Sequence, residues 1–194
     1  MRFLLTALLC MLAGCAGTVQ IPSQDWSQHL TRLQALDHWQ SEGKIALRNG
    51  GASESANLVW QQKRHQSELQ LSGPLGMAAT RIYSDGQHLQ IIRGEDSQTF
   101  DISSQAAIEA NTGWDLPLTS LPYWIRGIPD PNSHSEHMHI ESHLLRELKQ
   151  NGWRVQFGAY DSFEGYYLPT RLTLQRADSS ARMIIRHWQV SKTP

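Results

Sequence analysis

Few side chains in this chain could do chemistry, and they fall into two groups. Cys15 follows Leu12-Ala13-Gly14 at the end of a short apolar run, and its thiol could carry a covalent modification. The second group is His134, His137, His139 and His143, spaced three, two and four residues apart. Such spacing could converge on one metal ion and make the protein a metal-dependent enzyme. The surrounding Pro-Asn-Ser-His-Ser-Glu-His stretch, however, reads as a polar loop. Signatures of catalysis are missing: there is no G-x-S-x-G elbow, no H-E-x-x-H, no G-x-x-x-x-G-K-S/T loop and no strand–G-x-G-x-x-G–helix unit. Asp and Glu are scattered, and Asp161 and Glu164 read as solvated turn residues. The reading favours a protein that is not an enzyme and that uses no cofactor or metal.

The neighbourhood of Cys15 says more. Met1-Arg2 gives a positive start, Phe3 to Leu12 is apolar apart from Thr6, and Ala13-Gly14 is a small-residue processing site. This is the layout of a secretory signal. A cysteine just after Leu-Ala-Gly resembles the lipobox of bacterial lipoproteins. The resemblance implies cleavage before Cys15, a diacylglyceryl thioether on its sulfur and an acyl group on the new amino terminus. The alternative is an ordinary signal peptide cut near Ala16. On the lipobox reading, residues 1–14 are the signal, 15–22 a lipidated tether and 23–194 a single folded domain. Two or more acyl chains hold a protein stably, at ~0.8 kcal/mol per buried methylene. The apolar run is far below the ~20 residues that cross a bilayer. Ala16 stands where the lipoprotein sorting pattern places an inner-membrane-retaining aspartate, so the expected location is the outer membrane, facing the periplasm.

Composition sets further bounds. Removing residues 1–14 leaves about 180 residues, enough for one sizeable core. The formal charge of -1 becomes -2 once Arg2 is lost, which argues against a nucleic-acid footprint. Cys10 lies in the signal and lipid would block Cys15, so the mature chain can form no disulfide. Seven tryptophans imply either a generous core or a lined cavity.

Local patterns then assign elements. Ser23 reads as an N-cap, and Trp26, Leu30, Leu33 and Leu36 define an apolar stripe, predicting a helix from about Gln24 to His38. Period-two alternation predicts strands around Ile45–Leu47, Ala56–Trp60, Leu69–Leu71, Ala79–Tyr83, His88–Arg93 and Gln98–Ile102. A break follows, with Ser104 and Ser120 as candidate helix caps and Gly113 and Gly127 as stops; Pro122 falls in a first turn. Strands resume at Leu144–Lys149, Trp153–Tyr160, Leu168–Arg176 and Ala181–Val190, with Asn151-Gly152 as a hairpin turn. The expected fold is α+β, an antiparallel meander of about ten to eleven strands that curls towards a barrel.

Several segments in order resemble the LolB family of outer-membrane lipoprotein receptors. They include Gly43-Lys44-Ile45-Ala46, Leu58-Val59-Trp60-Gln61-Gln62, Gly73-Pro74-Leu75-Gly76 and Leu121-Pro122-Tyr123-Trp124-Ile125-Arg126-Gly127-Ile128-Pro129, with Asn151-Gly152-Trp153 and Arg186 to Val190 after them. The resemblance implies an incomplete β-barrel with helices covering an apolar cavity, similar to the periplasmic carrier LolA. It also implies a monomer that accepts triacylated lipoproteins from a LolA-like carrier. The cargo would be placed in the inner leaflet of the outer membrane without nucleotide hydrolysis.

Such a receptor needs a dry concave surface of large apolar side chains. The candidates for the lining are Leu58, Trp60, Leu69, Leu71, Ile82, Leu89, Ile91, Trp153, Val155 and Phe157, with Leu121, Trp124 and Ile125 from a helical lid. The same pattern would equally suit a close-packed core. Leu75 sits in a Pro-Leu-Gly turn where a leucine has no core to enter. The resemblance assigns that position to a loop that hands lipid to the membrane. Other readings compatible with the chain are a different small-lipid carrier and a passive envelope scaffold.

Overall fold

Inward–outward alternation makes this chain a sheet protein. In β9 (Trp153–Phe163), Trp153, Val155 and Phe157 are buried while Arg154, Gln156 and Gly158 are exposed. One face of the strand is dry and the other wet. The structure, a computed structural model, describes residues 25–49, 52–73, 79–102 and 118–191. Cys15 with the signal and tether, Leu75, and the helix expected between Ser104 and Gly113 lie outside the described residues.

The other strands are β1 (His38–Asn49), β2 (Ala52–Lys63), β3 (Gln66–Ser72), β4 (Thr80–Ser84), β5 (His88–Arg93), β6 (Asp96–Asp101), β7 (Ser135–Glu141), β8 (Leu144–Gln150), β10 (Tyr166–Arg176) and β11 (Ser179–Val190). They form one antiparallel sheet in the order β6-β5-β4-β3-β2-β1-β11-β10-β9-β8-β7. Two meanders, β1–β6 and β7–β11, are therefore joined by the pairing of β1 with β11. β6 and β7 are the two edges and do not pair with each other, so among the described residues the sheet stays open, as the expected incomplete barrel requires.

Three differences from the sequence reading have physical causes. The polar stretch Pro131 to His137, expected to be a loop, is one only as far as His134; from Ser135 it enters edge strand β7, which carries His137 and His139. Its residues are wet on both sides, so no alternation marks it; short polar edge strands also resist pairing with other chains. The first helix, α1, spans only Trp26–Gln34, and its cap is Asp25, whose carboxylate accepts from the Gln28 N–H at 2.9 Å. Leu36 is buried like Leu33 but lies beyond the helix, where the chain turns into β1. Ser120 stands at the start of the second described helix, α2 (Leu121–Trp124), without a side-chain capping bond.

Tryptophans centre the core. Trp39 of β1 packs against Trp60 of β2 and Trp188 of β11, with ring centroids 5.3 Å apart in both pairs. The Trp188 indole donates to the Pro169 carbonyl at 3.0 Å, which satisfies its buried N–H. The register of β1 against β11 shifts between Glu42 and Gly43, a β-bulge. There the backbone of β11 comes so close that a Cβ on Gly43 would collide with the Ile184 carbonyl oxygen. Glycine is required at that approach.

Candidate functional site

The segment 120–130 is fixed to the β8–β9 hairpin by a buried polar network. The Ser120 hydroxyl donates to the Asp130 carboxylate at 2.7 Å, which is why it does not cap α2. The Trp124 indole donates to the Gln150 side-chain oxygen at 2.8 Å, and that oxygen also accepts from the Asp130 N–H at 3.0 Å. The Gln150 amide nitrogen returns bonds to the carbonyls of Asp130 at 2.9 Å and Ser133 at 2.8 Å. A buried glutamine with its donors and acceptors matched in this way specifies one geometry. Arg126, also buried, donates from Nε to the Pro122 carbonyl at 2.9 Å and stacks 5.2 Å from the Tyr123 ring centroid. Burial pushes its guanidinium down to about 10, so it remains a cation at neutral pH.

So held, α2 presents Leu121 to the inner face of the first meander. A pocket of about 470 Å³ lies there, within the range of small-molecule sites. In-register pairing builds its wall: Trp60 stands opposite Leu69, and Leu69 opposite Ile82, one apolar row across three strands. Ile45, Leu47 and Ala56 extend the wall on one side, Leu89 on the other, and Leu118 and Leu121 approach from the helical segment. Glu54 and Arg93 are its charged members. Gly73 and Thr80, on either side of residues 74–78, also border it. The described lining is mostly aliphatic and aromatic, which suits hydrocarbon.

The expected lining residues divide between this pocket and the filled core. Trp60, Leu69, Leu71 and Leu121 are on the pocket wall, with Ile82 and Leu89. Leu58, Trp124, Trp153, Val155 and Phe157 sit in the closed cluster, as does Ile125, each at most 3% exposed. Ile91 belongs to a smaller cluster with Ile82, Leu89 and Ile102. The large side chains of β8–β11 pack with Trp124 and Ile125 and with Trp39 and Leu58 of the first meander, whereas the pocket lies along the rest of the inner face of β1–β5. Sequence reasoning missed Ile45 and Leu47 as wall residues, although their alternation had marked the inward face. Leu118 carried no signal.

The histidines do not assemble. His137 and His139 are exposed on β7, His143 is exposed in the following turn and His134 precedes the strand. Among the described residues no group of three or more His, Cys, Asp or Glu side chains is placed to hold a metal ion. No described helix is long and apolar enough to cross a membrane.

Comparisons with known proteins point to one family. The family profile described as Outer membrane lipoprotein LolB matches residues 37–188. An outer-membrane lipoprotein LolB from Stutzerimonas stutzeri is 36% identical over 196 residues, covering 97% of this chain and 95% of the relative. A namesake from Pseudomonas aeruginosa is 34% identical over 195 residues, covering 96% and 95%. Among solved structures, a LolA superfamily protein from Nitrosomonas europaea superposes with a TM-score of 0.53 at 10% identity. That match covers 89% of this chain and 96% of the other, and at such low identity it shows a shared fold.

Proposed function

This chain belongs to the LolB family of outer-membrane lipoproteins, and we propose that its inner-face pocket shelters the acyl chains of a second lipoprotein during delivery to the outer membrane. The donor is a LolA-like periplasmic carrier, the cargo a triacylated lipoprotein and the acceptor the inner leaflet. Lipid on Cys15 keeps the receptor at its destination, and the helical segment around Leu121 covers the pocket.

The observation that carries this reading is the contrast between the two meanders. The inner face of β8–β11 is covered by a packed cluster that includes Trp124 and Ile125; that of β1–β5 borders about 470 Å³ walled by Trp60, Leu69, Leu71 and Leu121. At ~0.8 kcal/mol per methylene, one long acyl chain exposed to water costs on the order of 10 kcal/mol. A dry wall removes that cost without directional bonds, which hydrocarbon cannot offer. Transfer needs no covalent step and no nucleotide. It needs only that affinity rise from carrier to receptor to membrane, each ~1.4 kcal/mol biasing the transfer tenfold.

The test is to mix a carrier–lipoprotein complex with the full chain in detergent-free buffer and ask which protein holds the cargo. Cargo is expected on this chain, and a subsequent addition of outer-membrane vesicles should move it into the vesicles. Cargo that stays wholly with the carrier overturns the proposal.

A further inference from the structure

A second cavity, of about 620 Å³, opens at the other end of the same inner face. The two share Ser67, Ser84 and Leu118 in their walls, so they abut. Strand direction fixes their order. β3 starts at Gln66 and ends at Ser72, so Ser67 marks the shared end while Leu71 and Gly73 lie at the far apolar end. β4 runs the other way, with Thr80 at the apolar end and Ser84 at the junction.

The second cavity differs in chemistry. Its charged members, apart from His65, are Asp37, Asp130, Arg64 and Arg126, whose formal charges cancel. An anionic headgroup would want a surplus of cations. A mixture of balanced charges with the amide of Asn132 suits a chain of peptide groups, which both donate and accept. Trp39 adds an independent sign. It forms part of this wall, is buried, and its indole N–H has no hydrogen-bond partner among the described residues. A buried donor left unmatched is costly, so a peptide carbonyl admitted by an opening of the wall would be held there.

Resting on the proposed acyl-sheltering role, we infer that the inner face holds its cargo in one orientation. The acyl chains lie between β1–β5 towards Leu47, Gly73 and Thr80, and the attached polypeptide leaves through the polar cavity past Trp39, Gln62 and His65. The lipid tails thus point towards the end of the sheet that carries the turn between β3 and β4.

Photo-crosslinking reads this directly. The full chain would carry benzoylphenylalanine at His65 in one variant and at Leu47 in another. The probe is a tripalmitoylated cysteinyl peptide with a hydrophilic tail, offered alongside phosphatidylglycerol vesicles. Mass spectrometry of the adducts should find the peptide tail ~10-fold more often at His65 than at Leu47, and palmitoyl carbons at Leu47, a ratio equivalent to about 1.4 kcal/mol between orientations. Tail adducts at Leu47, or equal yields at both positions, overturn the orientation while leaving acyl sheltering intact. Phospholipid headgroup adducts in place of the tail at His65 overturn the choice of occupant. Absence of any saturable change in tryptophan fluorescence with the probe overturns both.

Discussion

Arg126 donates from one guanidinium nitrogen to the carbonyl oxygens of Leu33 and Leu36, at 2.7 and 2.6 Å. A residue ninety positions downstream thereby takes up carbonyls at and just beyond the end of α1, of which that of Leu33 also accepts the Leu36 N–H at 3.3 Å, and ties that helix to the segment bearing α2. The cation also complements the negative end of α1. Replacing Arg126 with Met keeps the bulk and removes every donor. Loss of these charged hydrogen bonds in a buried site should lower stability by ~3 kcal/mol, a fall in melting temperature of ~6–12 °C for a domain of this size. Arg126→Lys should recover only part of it, because a single ammonium cannot reproduce the planar fork. A melt unchanged in the Met variant would remove Arg126 from this structural role.

Leu69 and Val155 separate the pocket wall from the packed core. Leu69 is half-buried on the wall, and Val155 is fully buried in the closed cluster. Leu69→Glu puts a carboxylate where acyl chains are to lie, so affinity for a tripalmitoyl peptide should drop ~10-fold or more while the fold persists. Val155→Ala should do the reverse, costing ~2 kcal/mol of stability through a cavity yet sparing binding. Tryptophan-fluorescence titration paired with thermal melts distinguishes them. Equal binding losses in the two variants would erase the proposed division between wall and core.

These two residues also show where sequence stops speaking. Both alternate with polar neighbours, and alternation reports which face is apolar, not whether another side chain meets it. Hence β9 and β11 were legible as strands, and Asn151-Gly152 as a hairpin, where both residues take positive φ (54° and 72°). Which part of the inner face is filled depends on contacts between residues far apart in sequence, such as Trp39 with Trp188. β7 was illegible because an edge strand exposed on both sides has no periodic signal. The segment from Leu121 to Pro129 was marked by resemblance, and the reason for two of its residues emerges only in three dimensions. Arg126 reaches α1, and Gly127, at φ 81°, leaves room for the Tyr160 hydroxyl, which a Cβ would approach to 2.8 Å.

His29 gives the fold a dependence on acid. It is buried on α1 with its Nε2 unpartnered among the described residues. Burial, helped by the nearby Arg32 cation, pushes the imidazole from its ordinary 6.5 to about 4. Between those two values the unfolded chain binds a proton that the folded chain refuses. The contribution of His29 is therefore complete above pH 6.5 and declines as the pH falls towards 4, by on the order of 2 kcal/mol. Denaturant midpoints measured across this window should slope downward for the native chain and flatten in His29→Gln. An identical slope in that variant would assign the acid sensitivity to other groups.

Leu75 lies outside the described residues, and its proposed role rests on its place in the sequence between β3 and β4. Gly73 and Thr80, on the wall of the apolar pocket, stand on either side of that segment. An apolar side chain there could enter hydrocarbon at the moment of delivery, bringing the pocket's mouth to the leaflet. Leu75→Glu would resist that entry, since a carboxylate is expelled from the bilayer interior. The variant should fold with an unchanged melting temperature and accept cargo from the carrier normally. It should then fail to pass cargo to vesicles, holding most of it bound where the native chain releases most. Lipid transfer at the native rate would locate the membrane contact elsewhere on the sheet. Failure at acceptance instead would make Leu75 part of the carrier interface.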